Sequence, residues 1–175
     1  MGRGQPIEIR DYQVEAVKTA LDKERTLLLS PTASGKSFII YLLVRYYAKR
    51  TLIIVPTTSL VSQLASDFAD YGFLSDKFVH RIFAGQDKQT NKPITISTWQ
   101  SIYKMDKEYF EQFDVVIGDE AHLFKAKSLT SILTKLDNCK YRFGFTGTLD
   151  GSHTHKLVLE GLFGTVRKVT TTAEL

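Results

Sequence analysis

Thr26-Leu27-Leu28-Leu29-Ser30-Pro31-Thr32-Ala33-Ser34-Gly35-Lys36-Ser37 carries three consecutive leucines into a Gly-Lys-Ser turn. An apolar run bounded by turn residues predicts a buried strand. Beyond the turn, Ile39, Ile40, Leu43 and Tyr47 recur at helical spacing, so an amphipathic helix is expected from near Gly35. A strand passing into a helix through Gly-Lys-Ser is the arrangement of a phosphate cradle. The loop from Pro31 through Ser37 is expected to wrap an anion at the helix N-terminus, with backbone N–H groups from Thr32 onward facing it and the helix dipole favouring negative charge. Gly35 admits close backbone approach, Lys36 reaches the β- and γ-phosphates, and the Ser37 hydroxyl suits Mg²⁺. Ser30 stands where the usual pattern has its first Gly. A turn that merely caps a helix is the alternative, and the flanking strand and helix argue against it.

A second constellation lies downstream, at Gly118-Asp119-Glu120-Ala121-His122. The preceding Asp114-Val115-Val116-Ile117 predicts another buried strand, which delivers two adjacent carboxylates at its end. Strand C-termini of a parallel sheet share one edge, so cradle and carboxylates should face the same crevice. Asp119 is expected to hold Mg²⁺, directly or through water. Glu120 is expected to orient and deprotonate the attacking water. An exposed acidic helix cap is the plainer reading, but it leaves the wholly apolar delivering strand unexplained.

The rest of the chain alternates short β-rich runs with amphipathic helices, the pattern of βαβ units around a mainly parallel sheet flanked by helices on both faces. Asp11 caps an expected first helix bearing Val14, Val17 and Leu21. Thr51–Val55 reads as a strand stopped by Pro56, followed by a helix with Leu60, Val61, Leu64 and Phe68 on one face. Further strands are expected at Val79–Phe83, Ile94–Ser97 and Tyr141–Phe145, and a helix at Ser128–Leu136. Weaker helix and strand signals occupy residues 154–163 and 165–169, and Gly85–Lys92 reads as a polar surface loop. With no repeat or linker in view, residues 1–175 are expected to form a single domain.

Of the 175 residues, 43% are apolar and 24% charged, ordinary values for a globular fold, which argue against disorder and fibrous structure. The balance of 23 Lys and Arg against 19 Asp and Glu gives +4, which permits nucleic-acid contact without requiring it. The single cysteine, Cys139, excludes an internal disulfide and suits a reducing compartment. No apolar run approaches the ~20 residues of a membrane span, and Met1–Pro6 has no hydrophobic stretch behind it, so no membrane partner and a cytoplasmic location are expected. His80, His153 and His155 show no spacing that suggests a metal site.

From about Arg10 to Thr148 the motifs resemble, in order and spacing, the first RecA-like lobe of superfamily 2 helicases. Val55–Leu60, Asp67–Tyr71 and Asn138-Cys139 are similar to segments of UvsW-type phage helicases. The resemblance implies a RecA-like fold and ATP with Mg²⁺ as cofactors. It implies adenine recognition by Gln13, with Arg10 or Tyr12 packing nearby. Pro56, Thr57 and Gln63 resemble one motif that holds a nucleic-acid backbone, and Thr98, Trp99 and Gln100 resemble a second. A lone Trp after a strand is more often core, and Trp99 is expected to pack rather than stack on a base. Thr146-Gly147-Thr148 resembles the motif linking hydrolysis to strand grip, with His122 contacting it.

Nothing after Thr148 resembles a second lobe or its arginine finger, so that lobe is expected in cis or in trans. The expected function is the ATP-binding lobe of a DNA helicase or translocase that remodels branched or duplex DNA. The expected partner is single-stranded or branched DNA, with RNA as the alternative, and a phage-encoded version would work in the host cytoplasm. Two other readings stand beside it: a nucleotide- and nucleic-acid-binding module acting with a partner, and a small-molecule kinase. The kinase reading leaves Pro56-Thr57 and Thr98-Trp99-Gln100 without a purpose.

Overall fold

A computed structural model describes residues 18, 24–29, 36–73, 75–82, 90–123, 126–136, 139–146, 159–164 and 166–168. Seven strands form one sheet: β1 (Arg25–Leu29), β2 (Thr51–Val55), β3 (Val79–Ile82), β4 (Ile94–Thr98), β5 (Val115–Gly118), β6 (Tyr141–Thr146) and β7 (Val166–Lys168). Their order is β3-β4-β2-β5-β6-β1-β7 and every pairing is parallel. Among the described residues the labelled helices are α1 (Lys36–Tyr47), α2 (Thr58–Asp70), α3 (Ser75–Phe78), α4 (Trp99–Ile102), α5 (Lys107–Phe110) and α6 (Ala126–Thr134), with a 3-10 turn at Ala121–Leu123 and further helical residues at 159–163.

The central strands β2 and β5 are almost wholly apolar because both faces are covered, as parallel sheets require. Successive residues of one strand enter opposite cores. Leu28, Ile53, Val55, Val115, Ile117, Phe143 and Phe145 pack against α1 and α2. Leu27, Leu52, Ile54 and Val116 meet Trp99, Phe110, Leu129, Leu133 and Phe163 on the other face. The period-two placement of side chains divides each run between the two layers.

One close approach sets the height of β5. Gly118 and Gly144 are register partners on neighbouring strands. The fully buried ring of Phe163, in the helical residues 159–163, lies across both. A Cβ at either glycine would stand 2.8 Å from that ring, so only glycine lets the ring seat directly beneath the carboxylate pair.

Differences from expectation are mostly at boundaries. Strand β5 runs Val115–Gly118, one residue later than expected, because Asp114 is exposed while its N–H bonds to Arg50 O. Helix α6 occupies Ala126–Thr134 rather than Ser128–Leu136. Strand β4 continues to Thr98. The one-turn helices α3, α4 and α5 were not expected. The helix expected from Asp11, Phe83 and positions 85–89 of the expected loop lie outside the described residues, apart from Lys18, which is helical.

Candidate active site

The β1–α1 unit presents Lys36 and Ser37 at the C-terminal edge of the sheet, and β5 ends there with Asp119 and Glu120. Lys36 is buried at the first position of α1, and its ammonium lies between the two carboxylates. Nζ is 3.0 Å from Asp119 Oδ1 and donates a hydrogen bond to Glu120 Oε1. Asp119 is anchored from below by its own N–H, which donates to Ile54 O at 2.8 Å. Glu120 has φ +54°, in the left-handed region that non-glycine residues seldom occupy. That turn ends β5 and opens Ala121–Leu123, with Leu123 N donating to Glu120 O at 2.9 Å.

Burial dominates the electrostatics. It lowers the affinity of Lys36 for its proton, but Asp119 and Glu120 together outweigh that effect and hold the ammonium above its ordinary value. For Asp119, burial raises the carboxyl above the usual carboxylate range, and Lys36 offsets this only in part. The lysine gains two anionic partners, whereas Asp119 is deeply buried beside a cation that also serves Glu120.

The donor set fits Mg²⁺ bound together with phosphates. Asp119 Oδ1 is buried, touches the ammonium, and yet accepts no hydrogen bond of good geometry. Mg²⁺ characteristically takes one or two protein oxygens and completes its shell with phosphate and water. No cluster of three or more His, Cys, Asp or Glu occurs among the described residues.

A partner that sequence reasoning missed stands beside Ser37. Its Oγ lies 2.7 Å from Tyr71 Oη. Burial raises the Tyr71 phenol above its ordinary value, with the Ser37 hydrogen bond acting in the opposite sense. No local pattern could have found this contact, because the two residues sit on different helical units, α1 and the end of α2.

Further along the same edge, Val55 and Thr98 are register partners, which brings the segments after β2 and β4 side by side. Gln100 Nε2 donates to Pro56 O at 3.4 Å, joining the two. Thr57 caps α2, its Oγ1 accepting from Leu60 N at 3.3 Å. Gln63 is exposed and bonds Asp67 one turn on. Thr57, Gln63 and Gln100 therefore present polar groups to solvent, whereas Pro56 and Thr98 are buried and Thr98 Oγ1 meets Ser101 Oγ at 2.7 Å. The Trp99 side chain is buried, edge-on to Tyr103, within the core beneath the sheet. Thr146 is fully buried at the end of β6. Arg10, Tyr12, Gln13, Pro31, Thr32, Ala33, Ser34, Gly35, Gly147 and Thr148 lie outside the described residues, as does the side chain of His122. A cavity of about 470 Å³ near Arg45, Lys49, Phe73 and Phe78 opens at the opposite, N-terminal edge and is remote from this chemistry.

A parallel sheet that brings a Lys-Ser helix start and an Asp-Glu pair to one edge defines a RecA-like lobe of the phosphate-loop class. The family described as type III restriction enzyme, res subunit, matches residues 6–151. The chain belongs to this family of superfamily 2 helicase domains. It is 40% identical, over 97% of its length, to the ATP-dependent DNA helicase uvsW of Enterobacteria phage T4. It is 33% identical, over 89% of its length, to the DNA 3'-5' translocase XPB2 of Sulfurisphaera tokodaii. The chain spans 35% of each of those relatives. A crystal structure of T4 UvsW superposes with a TM-score of 0.88 at 39% identity, covering 99% of this chain and 37% of that one.

Proposed function

We propose that this chain is the nucleotide-binding lobe of an ATP-dependent DNA helicase or translocase, and that it binds ATP but does not unwind DNA by itself. The observation that carries this reading is the buried Lys36 ammonium held between Asp119 and Glu120 at the C-terminal edge of the sheet. The lysine stands where nucleotide chemistry would begin. A triphosphate arriving at the start of α1 offers Lys36 a stronger anionic partner. Transfer of the ammonium to the phosphates releases both carboxylates. Asp119, whose buried Oδ1 faces the ammonium, and Ser37 are the residues that would hold Mg²⁺. When bound, Mg²⁺ would supply charge neutralisation at the phosphate oxygens. Glu120, more exposed than Asp119 and relieved of the ammonium, accepts the proton of the attacking water.

The strand of nucleic acid is read as lying over the segments after β2 and β4, where Thr57, Gln63 and Gln100 offer polar groups to a phosphate backbone. Such contacts position a strand without reading its sequence. Thr146 leads toward Gly147-Thr148, which we assign to coupling between the two places together with His122. A second RecA-like lobe, in cis or in trans, would complete the pocket. Arginine fingers in related phosphoryl-transfer systems are worth ~10³–10⁵ in rate, so turnover by this lobe alone should be slow.

The test is ATP turnover at low salt, with and without single-stranded DNA, branched DNA and single-stranded RNA. Lys36→Ala serves as the blank. Weak turnover that rises with DNA and falls about 10²–10⁴-fold in Glu120→Gln supports the proposal. Unchanged turnover in Glu120→Gln would remove the assigned base. Stimulation by RNA alone would overturn the choice of DNA, and strand separation by this chain would overturn the need for a second lobe.

A further inference from the structure

Tyr71 is held more firmly than a surface tyrosine following a helix would be. Its N–H donates to Asp67 O at 3.1 Å and to Phe68 O at 3.2 Å, which fixes its backbone at the end of α2. Its ring meets Phe38 edge-on at 5.0 Å and Tyr41 at 5.2 Å, both on α1. The phenol oxygen therefore has a fixed position, 2.7 Å from Ser37 Oγ. Ser37, one residue after the lysine that bridges the carboxylates, has the rotatable group of the pair.

A serine hydroxyl has one proton and two lone pairs. Used as a metal ligand, it must turn a lone pair to the cation and give its proton to another acceptor. A hydroxyl beside a divalent cation is also a better donor than a free one, because the cation withdraws charge from its oxygen. We propose that Tyr71 is a positioning residue for divalent-metal binding: its phenol oxygen accepts the Ser37 proton and turns the Ser37 lone pairs toward the metal. This inference rests on the reading of Ser37 as an Mg²⁺ ligand. The role needs no contact of Tyr71 with metal or nucleotide. Its effect is exerted through the orientation of Ser37, in the way that outer partners commonly tune a metal ligand.

The experiment compares Tyr71→Phe, Ser37→Ala and the unaltered chain in binding a fluorescent, non-hydrolysable ATP analogue as Mg²⁺ is varied. Mn²⁺ uptake in the presence of the analogue, followed by paramagnetic resonance, gives a second readout independent of turnover. Phenylalanine retains the ring contacts with Phe38 and Tyr41, so analogue affinity without metal should be unchanged and reports that the fold is intact. The expected result is a rise of about 10-fold in the Mg²⁺ concentration at half-effect for Tyr71→Phe, with a matching loss of Mn²⁺ affinity. A midpoint unmoved in Tyr71→Phe but moved in Ser37→Ala overturns the role of Tyr71 and leaves that of Ser37 standing. A lower midpoint in Tyr71→Phe also overturns it, since Tyr71 would then be withholding Ser37 from the metal. A midpoint unmoved in Ser37→Ala removes the reading on which the inference rests.

Discussion

Placing a methyl group at Gly118 tests how the sheet holds its carboxylates at the right height. In Gly118→Ala, the new Cβ would stand 2.8 Å from Cζ of Phe163, with Cε1 and Cε2 at 3.4 and 3.7 Å. Overpacking of this kind costs about 1–3 kcal/mol. Removing a glycine from the unfolded chain returns about 0.4–1 kcal/mol, so the single variant should lose about 1–2 kcal/mol. Phe163→Leu deletes all three contacting atoms and should cost about 1–2 kcal/mol, less than the ~3–5 kcal/mol of a buried Phe→Ala change. In the double variant the methyl enters space the ring has vacated, so the two losses should not add. A coupling of about 1–2 kcal/mol, with the double variant more stable than the sum predicts, is expected from urea denaturation midpoints at constant slope. For a chain of this length each 1 kcal/mol is about 2–4 °C in Tm, so thermal melts can corroborate the cycle. Because Gly118 directly precedes Asp119, Gly118→Ala alone should also weaken Mg²⁺-dependent ATP-analogue binding, and Phe163→Leu should restore part of it. Additivity within about 0.5 kcal/mol would refute the reasoning, since it would mean the ring yields freely to the methyl.

Asp119→Asn should raise Tm near neutral pH while abolishing Mg²⁺-dependent nucleotide binding. The folded carboxyl titrates above its ordinary value, mainly through burial, so this group favours folding when protonated and loses that contribution as pH rises from about 4 through the raised value. The stability advantage of Asn should therefore grow across that window, and a constant difference across a series of melts from acid to neutral pH would contradict it. Cys139 should resist a thiol reagent at pH 8, because burial pushes its thiol up to about 11 and little thiolate forms. Mild denaturant should expose it, with labelling tracking unfolding, and rapid native labelling would show that the site opens locally.

Much of the fold was legible because its signals are local. Leu52–Val55 is an unbroken apolar run and all of Thr51–Val55 is buried, as expected of a strand covered on both faces, and Pro56 marks its end. That Lys36 and Asp119-Glu120 share one sheet edge was legible because each follows a buried strand, and strand C-termini of a parallel sheet lie along one edge. What could not be read depends on pairs distant in sequence. Nothing near Ser37 points to Tyr71, nothing near Gln100 points to Pro56, and nothing near Gly118 or Gly144 points to Phe163. Helices α3 and α5 span four residues each, too short for a periodic signal. Even so, Asp106 caps α5 by accepting from Tyr109 N at 3.1 Å, a feature that could have been sought in the sequence.

The strand order has a consequence for the time course of synthesis. β1 leaves the ribosome first among the strands, but its neighbours in the sheet are β6 and β7, and Arg25 waits for Arg142 to become its partner. Between β1 and β5 stands β6, so Lys36 cannot take its place beside Asp119 and Glu120 until Tyr141–Thr146 has been made and inserted. Long-range parallel pairings of this kind form slowly. The β3-β4-β2-β5 half can assemble on the nascent chain, leaving two acidic residues at a sheet edge without their counter-charge. Nucleotide affinity should appear in one late step, so nascent chains stalled before β6 should carry the start of α1 and the carboxylates, yet have no working pocket.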